Sequence, residues 1–241
     1  MAALTNQVAV ITGASSGIGQ AMAIGLAKEG LSLWLLGRNK ERLQATAEMA
    51  AISSPKVSVY QVDLSSEHDL LCVTARLEQE VDCVDVLVHA AGDIVLGEMK
   101  SSSIEDFDRQ YKINLRAPYL LTQKLLPRIK ARRGQVVFIN SSVANNPRAN
   151  VGQYAATKHA LKAVADSLRN EVNDAGVRVL SIFAGRTASV MQETIHRLEN
   201  KSYNPKTLLQ PEDVASVAIN ALTLPQTAEV TDIYIRPMRK S

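Results

Sequence analysis

The chain has 241 residues, 46% of them hydrophobic and 4% aromatic, which bounds it to one large α/β domain or two small ones with a mostly aliphatic core. A formal net charge of +3 is too small to point to nucleic acid, and no stretch is long and apolar enough to predict a membrane span. Cys72 and Cys83, with His68, His89, His159 and His196, show no ligand spacing, so no metal and no disulfide are expected and a reducing cytoplasm is the natural setting.

The start of the chain, MAALTNQVAVITG, lacks the basic flank and long apolar stretch of a signal peptide. Its first apolar run, QVAVIT (7–12), reads as a buried strand. It leads into the turn TGASSGIG and a helical pattern over 17–29. Glycines at 13, 17 and 19 permit a tight turn and let a pyrophosphate approach the backbone at a helix N-terminus. Gly13, Ser15, Ser16, Gly17, Ile18 and Gly19 are therefore candidate nucleotide contacts. The spacing G-x-x-x-G-x-G also admits a purely structural turn.

The second run, LSLWLL (31–36), ends at Gly37 and Arg38. An acid there would bond a ribose 2′-hydroxyl, whereas an arginine accommodates a 2′-phosphate. With no carboxylate and a guanidinium present, NADP(H) is favoured and NAD(H) is the alternative. Arg38 can equally be a solvent-facing residue opening the next helix (39–51). The third run, KVSVYQV (56–62), ends at Asp63 and Leu64. The Asp63 carboxylate can meet an adenine amino group or cap the helix predicted over 67–80. The fourth run, VDVLVHA (84–90), closes with HAAG, whose Ala90, Ala91 and Gly92 suit close approach to a flat ligand.

A long helical pattern over 103–131 holds Asn114 and Pro118 and ends in the basic RIKARRG (128–134), which suits the C-terminal turn of a helix. Next come the strand QVVFIN (135–140), the pair Ser141–Ser142, and a helix over 153–174 that puts Tyr154 and Lys158 on one face. The runs VRVLSIF (177–183) and DIYIR (232–236) flank a weakly patterned stretch, 186–210, expected to be a mobile substrate loop, and a helix over 211–224. Strands rich in Val, Ile and Leu, alternating with helices, predict an α/β fold: a doubly wound parallel sheet with helices on both faces, as one domain over 1–241.

In order, TGASSGIG (12–19), Asp63, HAAG, Asn114, Ser141 and YAATK (154–158) resemble the short-chain dehydrogenase/reductase family over essentially the whole chain. The resemblance implies a Rossmann-type sheet of seven strands and a cofactor across their C-terminal ends. It implies Tyr154 as general acid/base, Lys158 as its helper and a ribose ligand, Ser141 holding the substrate oxygen, and Asn114 completing a proton relay. It also implies a homodimer or homotetramer.

Pro118 lacks the N–H that would bond the Asn114 carbonyl, so a helix through 114–118 should kink there. Two departures stand out: Ala90 replaces the family's asparagine, and Ala184 precedes Gly185 where proline is usual. Thr187 still falls where a hydroxyl reaches the nicotinamide or pyrophosphate. Spacing favours Ser141 over Ser142, since neighbours on a strand face opposite ways. Val95, Asn145, Val151, Met191 and Tyr203 are candidates for the substrate pocket. The expected function is an NADP(H)-dependent oxidoreductase interconverting a small carbonyl and its alcohol. The alternative is a silent NAD(P)-binding sensor or interaction module.

Overall fold

Alternate residues of the first strand serve two cores: Ala9 and Ile11 pack on one side of the sheet, Val10 on the other. The same division runs through the neighbouring strands, which explains why these runs read as continuously apolar. The structure, a computed structural model, describes residues 4–239.

Seven strands, β1 (Val8–Thr12), β2 (Ser32–Gly37), β3 (Val57–Gln61), β4 (Val86–His89), β5 (Gln135–Ser141), β6 (Arg178–Ala184) and β7 (Asp232–Ile235), form one sheet. The order is β3-β2-β1-β4-β5-β6-β7, with every pair parallel. This is the expected doubly wound, Rossmann-type architecture. One core layer joins the sheet to α1 (Gly17–Lys28), α2 (Lys40–Ala51) and α8 (Pro211–Leu222) through Met22, Leu26, Leu43, Val214 and Leu222. The opposite layer uses α3 (Glu67–Glu80), α5 (Ala117–Arg132) and α6 (Gly152–Val172) through Leu70, Leu77, Leu121, Leu125 and Leu161.

Helix starts follow side-chain chemistry. Asn39, Ser66 and Ser103 each accept a hydrogen bond from the backbone N–H three residues on. The basic 128–134 segment ends α5 as expected: Arg128 donates to the Val81 carbonyl and Arg132 pairs with Asp85.

Two expectations need correction. The helix predicted over 103–131 is not continuous. It is split into α4 (Ile104–Tyr111) and α5 by one π-helical turn, Lys112–Arg116, in which the Ala117 N–H reaches back to the Lys112 carbonyl. Pro118 lies in the first turn of α5. The break expected from its missing N–H thus takes the form of a widened turn. The stretch 186–210, expected to be a loop, carries α7 (Val190–Leu198) and a short 3-10 turn, Pro205–Thr207. Ser189 caps α7 by accepting from the Gln192 N–H, and Arg186 and Glu199 close it with two bonds of 2.9 and 2.7 Å. The apolar residues of α7, Val190, Met191, Ile195 and Leu198, recur at helical spacing, but over only nine residues, too short a run to stand out.

Candidate active site

Strand order reverses between β1 and β4, and a crevice opens there at the C-terminal ends of the strands. Thr12 and His89 are register partners, so the turns that follow them meet. A Cβ on Gly13 would lie 2.6 Å from the Ala91 nitrogen, and its φ is +68°. Only glycine fits both demands. Gly17, with φ +55°, opens α1. Ser16 at the N-cap makes no side-chain cap bond, so the first-turn N–H groups of α1 face the crevice uncapped. Gly13, Ser15, Ser16, Gly17 and Ile18 line a cleft of about 570 Å³, as do Ala90, Ala91 and Gly92. Gly19 does not. A Cβ there would lie 2.3 Å from the Gly13 carbonyl oxygen, so this glycine serves close packing beneath the turn and is corrected from ligand contact to support.

At one end of the cleft stand Arg38, Asn39, Arg42, Asp63 and Leu64. A side chain at Gly37 would meet Ser15 at 3.3 Å and Leu43 at 3.1 Å, so packing itself disfavours a carboxylate at this position. Arg42 escaped the sequence reading. Its signal was its spacing, four residues after Arg38, at the start of a helix. Asp63 Oδ1 accepts from both the backbone N–H and the hydroxyl of Ser65, at 2.9 and 2.7 Å. These bonds, with the positive charge of Arg38, hold its carboxyl below the usual range against the effect of burial. The cap of α3 is Ser66, so Asp63 shapes the turn before that helix while also lining the cleft.

Midway along the cleft, β5 and the start of α6 bring Ser141, Tyr154 and Lys158 together. Lys158 is buried. Its ammonium donates to the Ile139 carbonyl at 2.9 Å and lies 5.8 Å from the centre of the Tyr154 ring. Burial lowers its pKa to about 8. The Tyr154 phenol is pushed up to about 12 by burial, opposed by the Ser141 hydroxyl beside it and reinforced by the charge of Asp93. Asn140 ties the two elements together. Its Nδ2 donates to the Lys158 carbonyl at 3.1 Å and its Oδ1 accepts from the Ser141 N–H at 2.8 Å. β5 ends at Ser141, and Ser142 starts a 3-10 turn that also borders the cleft. The set provides a proton donor, a cation to stabilise its conjugate base, and a second hydroxyl.

Asn114 is fully buried and does not line the cleft. Its side chain clamps the backbone of Asp93, accepting from the N–H and donating to the carbonyl, both at 2.8 Å, and also donates to Thr157 at 3.0 Å. Any role for its side chain is therefore exerted by holding the turn after β4, where Gly92 lies between it and Lys158. His89 is buried nearby. Its Nε2 pairs with Thr122 at 2.8 Å, its ring stacks on Phe138, and its Nδ1 has no partner among the described residues. Burial and the charge of Lys158 lower its pKa to about 3, so it is neutral.

Past Tyr154 the cleft is walled by α7 and by segments following β4 and β5. Gly185, Thr187, Val151 and Met191 line it as expected, with the Thr187 hydroxyl donating to the Gly185 carbonyl at 3.1 Å. Val95, Asn145 and Tyr203 do not. The Val95 N–H is bonded to Gln110 and Asn145 to Tyr234, while the Tyr203 hydroxyl donates to the Ser189 carbonyl and its ring packs edge-on against His196. Ile94, Leu96, Val143, Ile195 and Arg148 line the cleft instead. Their positions depend on long-range folding and left no pattern in the sequence.

The fold agrees with that of known proteins. A family model described as short chain dehydrogenase matches residues 7–200. An uncharacterized oxidoreductase of Staphylococcus aureus (strain USA300) is 31% identical over 241 residues, covering 99% of this chain and 100% of its own length. An alcohol dehydrogenase from the archaeon Thermococcus sibiricus, solved with 5-hydroxy-NADP, superposes with a TM-score of 0.87 at 26% identity and 98% coverage of both chains. A metagenomic short-chain oxidoreductase solved with NADP gives 0.83 at 27% identity, covering 99% of this chain and 100% of that one. With the matched glycine turn and the Ser141–Tyr154–Lys158 cluster in one cleft, the chain belongs to the short-chain dehydrogenase family of oxidoreductases.

Proposed function

We propose that the protein is an NADP(H)-dependent oxidoreductase that interconverts a carbonyl compound and its alcohol, with Tyr154 as general acid/base. The observation that carries this reading is the meeting of the Ser141 hydroxyl, the Tyr154 phenol and the Lys158 ammonium in a cleft whose other end holds a glycine cradle and two guanidiniums.

The residues present fit a phosphorylated dinucleotide. Gly13 and Gly17 open the backbone at positive φ, the uncapped start of α1 suits a pyrophosphate, and Arg38 and Arg42 suit a 2′-phosphate. The NADP and NADP analogue in the two similar structures support the same choice. When bound, the nicotinamide supplies or accepts the hydride.

The chain handles the proton. In reduction, the Ser141 hydroxyl holds the substrate oxygen and Tyr154 transfers its phenolic proton to it as negative charge develops there. A phenol held at about 12 stays protonated at neutral pH, ready to act as the acid. Lys158, with its pKa near 8, remains charged at neutral pH and stabilises the phenolate left behind. The Ile139 carbonyl fixes that ammonium. Asn140 keeps Lys158 and Ser141 in register, and the Asn114 side chain keeps the Asp93 turn in place. Exposed Phe107, Tyr111 and Tyr119 on α4 and α5 support extending the proposal to a homodimer or homotetramer. Among the described residues no helix is long and apolar enough to cross a membrane.

A panel of ketones and aldehydes, assayed with NADPH and NADH in parallel, tests the reading. Turnover with NADPH is expected. Tyr154→Phe should lower kcat by a factor of about 100 to 10,000 while calorimetry still detects NADPH binding. Nucleotide binding with no carbonyl reduced would favour a sensor, and full activity in Tyr154→Phe would remove the phenol from the mechanism.

A further inference from the structure

Among the described residues, five cationic side chains line the cleft, and four have an evident role or partner. Arg38 and Arg42 flank Gly37 at the end assigned to the 2′-phosphate. Lys158 is bonded to the Ile139 carbonyl. Arg186 is closed onto Glu199 by two bonds, with both side chains largely buried, at 13% and 20% exposure. The fifth, Arg148, lines the same cleft with no ion pair and no hydrogen-bond partner among the described residues.

Its location is held from both sides. The segment carrying Arg148 connects Ser141 to Tyr154, the two groups assigned to the substrate oxygen. Asn145 Nδ2 donates to the Tyr234 hydroxyl at 3.1 Å, and the Asn146 N–H donates to the Ser142 carbonyl at 3.2 Å. At the other end the Asn150 carbonyl accepts from the Gly97 N–H at 2.9 Å, and Asn150 itself turns the chain at φ +65°. From this loop Arg148, itself exposed, lines the cleft. Ile94, Leu96, Val143, Val151, Met191 and Ile195 give the cleft an apolar lining, interrupted by polar Ser142, Gln192 and Thr194. The two carboxylates that line the cleft, Asp63 and Asp93, are engaged by Ser65 and Arg109.

We propose that Arg148 is a specificity residue and that the substrate is an oxo acid or hydroxy acid: a small, partly apolar carbonyl or alcohol with a carboxylate that pairs with the Arg148 guanidinium. A guanidinium fork matches a carboxylate with two parallel charge-assisted bonds. A single unpaired cation balances one negative charge, which favours a monoanionic carboxylate over a dianionic phosphate. The apolar walls accommodate the rest of the molecule, and the focused positive field of the cleft draws anions towards it.

This inference rests on the carbonyl-oxidoreductase reading, and the test separates the two. The NADPH-loaded enzyme is assayed with 2-oxobutanoate and 4-oxopentanoate, each beside its methyl ester. At least one acid should exceed its ester by about tenfold or more in kcat/KM. Arg148→Gln should bring that ratio close to one, and Arg148→Lys should restore part of it. Esters preferred in both pairs, or a ratio unchanged in Arg148→Gln, overturns the assignment while leaving carbonyl reduction intact. If neither acids nor esters turn over, the same compounds are titrated calorimetrically into the NADP-loaded protein. Acid binding lost in Arg148→Gln then supports the anion site, whereas acids and esters binding equally, or neither binding, overturns it.

Discussion

Asn114 grips Asp93 through a reciprocal pair of hydrogen bonds: its side-chain oxygen accepts from the Asp93 N–H and its side-chain nitrogen donates to the Asp93 carbonyl, each at 2.8 Å. The two residues lie 21 positions apart, and Asn114 is fully buried. The pair joins the π-helical turn to the segment that leaves β4 and runs past Lys158.

Asn114→Ala removes both bonds and the one to Thr157, leaving half-buried backbone groups of Asp93 without their partners. Unsatisfied groups of this kind weigh more than the bonds themselves, and the expected loss is about 2–4 kcal/mol. Urea denaturation reads it directly. Unchanged stability would mean that water replaces the amide and that the clamp is dispensable.

His89 gives the protein an acid-sensitive component. Its imidazole has a pKa near 3 when folded against an ordinary 6.5, so the unfolded chain binds the extra proton between these values. Its contribution is fully present above about 6.5 and is lost as pH falls towards 3. Lys158, with its pKa near 8, is charged in both states below pH 6.5 and adds no slope there. Between pH 6.5 and 4.5 the wild-type protein should lose about 2 kcal/mol more than His89→Asn. Parallel denaturation curves for the two proteins across that window would show that His89 is not the group responsible.

Arg38 and Arg42 should act as a pair on the cofactor. Arg38→Ala and Arg42→Ala should each weaken NADPH binding by about tenfold, the scale of one charged contact, with a much smaller effect on NADH. Added salt should weaken NADPH binding in the wild type more steeply than in either variant. Equal losses for both nucleotides would place the two arginines away from the 2′-phosphate.

Most of the frame was legible because its signals are local. Buried strands declare themselves in short runs such as QVVFIN, helix starts in Asn39, Ser66 and Ser103, and the nucleotide turn in Gly13 and Gly17, which adopt the positive φ that glycine permits. Tyr154 and Lys158 share a helical face one turn apart, and their place after the glycine turn, Asn114 and Ser141 is what singled them out. The break in the long helix was foreshadowed by Pro118, although its form, a π-turn, was not. The helix within 186–210 was not legible because α7 is only nine residues long, so its apolar face of Val190, Met191, Ile195 and Leu198 is a short signal beside the polar residues around it.

The sequence alone determined the alternating strands and helices, the glycine turn, and the shared helical face of Tyr154 and Lys158, since these depend on backbone sterics and one-turn spacing. Tertiary structure decided what those residues face. It placed Gly19 beneath the turn, made Asn114 a clamp on Asp93, and brought Arg38, Arg42 and Arg148 into one cleft while withdrawing Val95, Asn145 and Tyr203 from its lining. The physical reason is range: periodicity and capping act within a few residues, whereas convergence in the cleft depends on parallel crossovers that bring strand ends together from distant parts of the chain.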